Sequence, residues 1–515
     1  MQFLEKRHGY FERKMVIWQT LVQVCRRWQS VVFGSPRRLG LQLVCTTKTS
    51  TGTLDVWPAL PLVIEDEYCQ KEGLIALLER SDLVRRITQI YLHNVHLEDI
   101  SEAMEVPFPE LTDLTLSRSN DETEPLIPLS DSFLGGSAPQ LQFFILDRIP
   151  FPGLPKILSS ATHLTDLRLI RIPHSGYISP EALAACLSML TSLGYLFLQF
   201  QSPQYRLDRE SRRPPPSTRT VLPALTRFLF KGVSEYLEDL VACVDIPQLN
   251  HLDITFFNDI VFDTSQLSRL IHDIPTFKAF DKATVSLWYA IASVRLSSKA
   301  SGGGELNVEI QVLCRELDWQ VSFLEQVCTS SFSLLSTLED LYVNDCPYSW
   351  PVRENNNVLW LELLHPFTTV KNIFLSEGIA PHVVPALQEL VGGRTAEVLP
   401  TLQNVFIERL QPSGPVQEGV EKFIAARQLT SHPIAVSRWD KYPSLPQAPH
   451  NLDLSPDALR INPEEPAQAE YLPGSPSPVA LVPESGHLTV GSESPPDFMA
   501  ASAASTRPSN IDLFL

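Results

Sequence analysis

Eight cysteines are present, at Cys25, Cys45, Cys69, Cys186, Cys243, Cys314, Cys328 and Cys346, but no two stand as C-x-x-C. Zinc-ribbon and dithiol redox chemistry is therefore not indicated, and scattered cysteines read as free thiols of a reducing compartment. The N-terminal run Met1-Gln-Phe-Leu-Glu-Lys-Arg-His has no apolar core of a secretory signal. No uncharged apolar run reaches the roughly 18 residues that a membrane-spanning helix needs. No N-x-S/T acceptor occurs, and neither do G-x-x-x-x-G-K-S/T, G-x-S-x-G or G-x-G-x-x-G. His93-x-x-His96 lacks the glutamate and the helix of a zinc-protease motif, so no metal, cofactor or catalytic residue is expected. These absences agree on a non-enzymatic cytoplasmic or nuclear protein. A net charge of −18 argues against nucleic acid or an anionic membrane as partner.

What the chain does have is a returning phrase. Leu111/Leu114/Leu116 reads as L-x-x-L-x-L, and it comes back as Leu141/Phe144/Leu146, Leu164/Leu167/Leu169, Leu193/Leu196/Leu198, Leu225/Phe228/Phe230 and Leu249/Leu252/Ile254. It resumes as Leu338/Leu341/Val343, Val370/Ile373/Leu375 and Leu402/Val405/Ile407, with an earlier copy at Ile87/Ile90/Leu92. Self-similarity at ~30 residues is the signature of a leucine-rich-repeat solenoid. Between phrases lie helical patterns, such as Leu183/Cys186/Leu187/Leu190 after the start signal Ser179-Pro180-Glu181. Each unit thus reads as strand, loop, helix, loop. The fold class is α/β: a curved parallel sheet inside and helices outside. The wide gap between Leu249 and Leu338 fits two degenerate units, with Phe277 and Leu306/Val308/Ile310/Val312 as their candidates, giving roughly twelve turns.

Four regions follow: a helical segment over 1–45, a linker or cap over 46–71, the solenoid over 72–439 and a tail over 440–515. The tail from Lys441 carries 13 of the 42 prolines and nine acidic against three basic residues, so it should be disordered. Within the solenoid, the basic, proline-bearing loop Tyr205 to Arg219 and the glycines at 302–304 read as solvated interruptions. Paired carboxylates such as Glu238-Asp239 and Glu339-Asp340 read as solvated faces.

The segment Trp18-x-x-Leu21-x-x-Val24-Cys25-Arg26-Arg27-Trp28 resembles the second half of an F-box. Leu54-Asp55-Val56-Trp57-Pro58-Ala59-Leu60-Pro61, Gly135-Gly136-Ser137-Ala138-Pro139 and Asp253-Ile254-Thr255-Phe256-Phe257-Asn258 are similar to a large F-box-like family of mushroom-forming (basidiomycete) fungi. The resemblance implies a substrate receptor of a cullin–RING (SCF-type) ubiquitin ligase, with Trp18, Leu21, Val24 and Trp28 meeting a Skp-type adaptor. The family's opening leucine-proline-acidic phrase is missing from Met1 to Met15, so weak or lost adaptor binding is expected. A repeat scaffold with no ligase link is the alternative.

Strand side chains alternate, so the residue between the last two apolar positions of each phrase should face out of the concave sheet. In order these are Thr115, Ile145, Arg168, Phe197, Leu229, Asp253, Tyr342, Phe374 and Phe406. Aromatic residues with arginine are typical interface anchors. Arg168, Phe197, Leu229, Asp253, Tyr342, Phe374 and Phe406 are the expected contacts to a target protein.

Overall fold

The computed structural model of the chain describes residues 25–34, most of 42–55, and 59–439. Within the last range the segments 67–70, 120–126, 204–218, 258–263, 300–304, 332–334, 346–356, 391–396, 430–432 and a few single positions are not described. Trp18, Leu21, Val24, the greater part of the basic loop, the triple glycine and the tail over 440–515 lie outside the described residues.

Among the described residues sixteen strands form one sheet. The first seven are β1 Leu43–Cys45, β2 Leu62–Asp66, β3 Ile87–Val95, β4 Asp113–Arg118, β5 Phe143–Asp147, β6 Asp166–Ile172 and β7 Tyr195–Phe200. After β8 Thr220–Val221 come β9 Arg227–Gly232, β10 Val244–Asp245 and β11 His251–Phe256, with β8 and β10 paired apart from the main sheet. Then follow β12 Lys282–Trp288, β13 Ile291–Lys299, β14 Glu305–Leu313, β15 Asp340–Asp345, β16 Asn372–Leu375, β17 Asn404–Glu408 and β18 Ala435–Trp439. This is a leucine-rich-repeat-like α/β fold: parallel strands laid side by side, each followed by a return segment that is usually helical. The sheet reaches N-terminal of residue 72, since β1 pairs with β2 and β2 with β3.

The repeated phrase supplies this geometry directly. Its last two apolar positions point to the helix side and are buried in every copy, while the leading leucine is buried where the chain turns into the strand. Strand and helix side chains join in one continuous apolar cluster. A threonine beside the leading position fastens many coils to the coil before. Thr112 Oγ1 donates to the Thr88 carbonyl (3.0 Å), Thr165 Oγ1 to Gln142 (3.0 Å), Thr226 Oγ1 to Gly194 (3.1 Å) and Thr401 Oγ1 to Val370 (3.0 Å). The Ser179-Pro180-Glu181 signal starts the helix Pro180–Leu187, with the Ser179 hydroxyl accepting the Ala182 N–H at 3.2 Å.

The gap between Leu249 and Leu338 holds something other than two degenerate units. Its three strands form an antiparallel meander set into the sheet in the order β11-β14-β13-β12-β15. β14 runs parallel to β11 and β12 parallel to β15, while β13 is antiparallel to both of its neighbours. The phrase that matches its neighbours is Phe280/Ala283/Val285, because Ala283 pairs with Leu341 and Val285 with Val343. Phe277 lies three residues earlier, in the 3-10 turn Pro275–Ala279, and packs its ring on Phe280 at 5.4 Å. Gln320, fully buried on the helix Leu317–Ser331, donates Nε2 to the carbonyls of Trp288 (2.9 Å) and Cys314 (2.6 Å), both at the end of the meander where Trp288 pairs with Ile291 and Ile291 with Leu313.

Glu238 also departs from the solvated role expected of it. It is buried on the helix Ser234–Cys243, and its carboxylate accepts the N–H groups of Gln266 (2.8 Å) and Leu267 (2.9 Å). Those N–H groups open the next helix, Ser265–Asp273, where they have no partner within the helix. A carboxylate at a helix N-terminus also gains from the helix dipole. Glu238→Ala should therefore cost about 1–3 kcal/mol in urea unfolding, and Glu238→Gln less. A stability equal to wild type for Glu238→Ala would contradict this cap.

Cys45, Cys186, Cys243 and Cys328 are buried free thiols, Cys25 is exposed and Cys314 intermediate. Burial pushes the Cys45 thiol up to about 11 and the Cys328 thiol well above its usual range. Among the described residues no helix is long and apolar enough to cross a membrane.

Candidate functional site

The face opposite the helices is built from the alternate strand positions. The register places the expected outward residues Thr115, Ile145, Arg168, Phe197, Leu229 and Asp253 in one continuous cross-strand row, which Tyr91 extends on β3. The meander continues it through Glu309, Arg295 and Thr284, and then come Tyr342, Phe374, Phe406 and Ser437. All seven expected contacts stand in this row, and each is half-buried. Thr115 is an exception to the expected exposure, being only 4% exposed.

The C-terminal part of the row is an aromatic stack. The rings of Tyr342 and Phe374 lie 4.2 Å apart at 4°, and those of Phe374 and Phe406 4.5 Å apart at 8°. Trp439 meets this stack edge-on, 5.4 Å from Phe374 and 5.8 Å from Tyr342. It shares its face of β18 with Ser437, whose small side chain leaves room beside Phe406. Lys282 Nζ sits 3.8 Å from the centre of the Tyr342 ring at the other end. Beside the rings, on the same face, runs a polar rail: Asn372 Nδ2 donates to Asp340 Oδ1 (2.7 Å), and Asn404 Nδ2 to Asn372 Oδ1 (2.7 Å). The rings are thus both surface and structure. Each parallel contact is worth about 0.5–1.5 kcal/mol beyond its burial.

Arg168 is held in place within the same face. Its guanidinium donates to both Asp166 oxygens, at 2.8 and 2.7 Å, and lies 4.4 Å from the Tyr195 ring centre. The hydrogen bonds to Asp166 hold its pKa above the usual arginine value. Asp253 is treated differently. Burial, and then the neighbouring Glu309 carboxylate, push its pKa up from 3.8 to about 6, with Arg295 opposing them. Because the folded state raises this pKa, protonated Asp253 favours folding. The contribution is fully present below pH ~4 and is lost as pH rises through about 6. Asp253→Asn should therefore gain stability over wild type as pH rises from 4 to 7.5, by up to roughly 2 kcal/mol. Paired urea titrations across that range check it, and a pH-independent difference would contradict the assignment.

No family model matches the chain, and no curated protein matches it in sequence. Among solved structures, it is similar to the leucine-rich repeat-containing protein LegL7 from Legionella pneumophila. The two share 11% identity over 74% of this chain and 97% of that one, with a TM-score of 0.24.

Lys282, Arg295, Glu309, Tyr195 and Trp439 belong to this face and were not among the expected contacts. Trp28, expected to meet an adaptor, lies on the helix Arg26–Gly34. His93 falls in β3 and His96 just after it, and among the described residues no three potential ligands gather into a metal site.

Proposed function

We propose that this chain is a non-enzymatic protein-binding solenoid that holds a target protein on its open sheet face. The observation that carries the reading is the two apolar stretches of the row, Phe197 with Leu229 and Tyr342 with Phe374 and Phe406. A solvated sheet face favours small and charged residues, whereas this one presents phenylalanine, leucine and tyrosine side chains at register positions. Following the F-box resemblance, the finer proposal is a substrate receptor: Trp18, Leu21, Val24 and Trp28 meet a Skp-type adaptor, and the face delivers its target to a cullin–RING ubiquitin ligase. The acidic charge supports a protein rather than a nucleic acid as ligand.

Affinity purification of the full chain from a cell of matching origin tests both levels. Co-purification of a Skp-type adaptor with a cullin is expected for a receptor, and should fall when Trp18 and Trp28 are replaced by alanine. A target retained without adaptor or cullin would leave the scaffold reading and remove the ligase link. No protein retained in a manner that depends on Phe406 would remove the interaction reading itself.

A further inference from the structure

The middle of the face carries charge, with Phe197 and Leu229 on one side of it and the Tyr342–Phe374–Phe406 stack on the other. Asp253 stands beside Leu229 on one side and Glu309 on the other, and Glu309 beside Arg295. Arg295 is already committed: its Nε donates to Glu309 Oε2 at 2.7 Å, and its second nitrogen reaches the same oxygen at 2.5 Å. Asp253 has no hydrogen bond and no ion pair among the described residues, although it is half-buried. The groups around it do not change that. On its own strand, His251 and Thr255 share its face; on β9, Arg227 and Lys231 lie two residues to either side of Leu229; on β14, Asn307 and Gln311 flank Glu309. Lys231 is placed against the Phe257 ring at 5.9 Å.

A half-buried carboxylate beside a second one is costly unless a cation answers it. Two carboxylates stand near one guanidinium here, which pairs with Glu309, and the open position beside Asp253 lies on the side away from the helices. Strands are spaced about 4.8 Å, so Asp253 lies roughly 19 Å along the row from Tyr342, where the aromatic stack begins. On the other side Leu229 and Phe197 are the next two positions.

We propose that Asp253 receives a lysine or arginine side chain of the bound protein, between an apolar contact at Leu229 and Phe197 and a second one at the Tyr342–Phe374–Phe406 stack. This deepens the reading of the face as a protein-binding surface and rests on it. It specifies the ligand as a segment crossing the strands with a basic residue next to one apolar anchor and about six extended residues from another. The partner's cation takes the place of the proton that Asp253 holds below pH 6, so binding strengthens from pH 5 to 7.5.

The test is selection of a random 16-residue displayed peptide library on the immobilised full chain, on Asp253→Asn and on Phe406→Ser. Melting curves confirm that both variants fold, and Asp253→Asn leaves packing and shape in place. Peptides enriched on wild type should share a basic residue. Its replacement by alanine should weaken binding about tenfold on wild type and under twofold on Asp253→Asn. Enriched peptides without a shared basic residue, or with one that Asp253→Asn recognises equally, would overturn this inference and leave the binding face standing. Enrichment that Phe406→Ser leaves unchanged, or none at all, would overturn the binding face and this inference with it.

Discussion

Leu341→Ala is expected to destabilise the protein by about 3–5 kcal/mol, and Leu252→Ala by about 2–4 kcal/mol, in urea unfolding. Both leucines are fully buried and sit at the two junctions where the regular coils meet the inserted meander. The cost has two parts: the lost transfer of buried methyl and methylene groups, and a cavity that a rigid ladder cannot collapse. The two sites differ in what lies alongside. Leu252 is flanked by Phe228 and Val308, which can lean into the space. Leu341 faces Ala283 on one side and Ile373 on the other, so alanine there leaves two small side chains in register. The Leu341 substitution should therefore be the more severe. Equal losses, or a loss under 1 kcal/mol at either site, would contradict the packing at these junctions.

Phe406→Ala is expected to weaken target binding at least tenfold while lowering stability by about 1 kcal/mol, and Phe374→Ala to do both more strongly. Phe374 has three aromatic neighbours, Tyr342, Phe406 and Trp439, so its removal opens the centre of the stack. Phe406 has one parallel partner at the end of the run, which makes it the cleaner probe of binding. Full independence of binding from melting temperature, the simplest expectation for an exposed anchor, is thus not expected at Phe374. Binding titrations and melting curves on both variants separate the two effects. A Phe406→Ala variant that binds as wild type would remove the stack from the interface.

Much of this was legible in the phrase itself. L-x-x-L-x-L sets which side chains are buried and which face out, and the sheet places the intervening residues in one row in the order read from the chain. The rail of Asp340, Asn372 and Asn404 was also available, since each stands two residues before an aromatic at a 32-residue interval. The meander was not. Alternation in Leu306/Val308/Ile310/Val312 marks a strand, but carries no sign of its direction or of which neighbour it joins. The juxtaposition of Asp253, Glu309 and Arg295 follows from that reversed topology, so no local pattern announces it. Glu238 escaped for a similar reason: its partners are N–H groups on another helix, 28 and 29 residues further on. Trp439 reaches the stack only because β18 closes the sheet beside β17.

The most direct test of the account is site-specific photocrosslinking around the molecule with its bound target. A benzoylphenylalanine placed singly at Ile145, Phe197, Tyr342 or Phe406 samples the outward row, and one at Gln326 or Lys422 samples the helices on the other side. The account predicts a target adduct from the row positions and none from the helix positions. Adducts confined to Gln326 and Lys422, with the row silent, would contradict it.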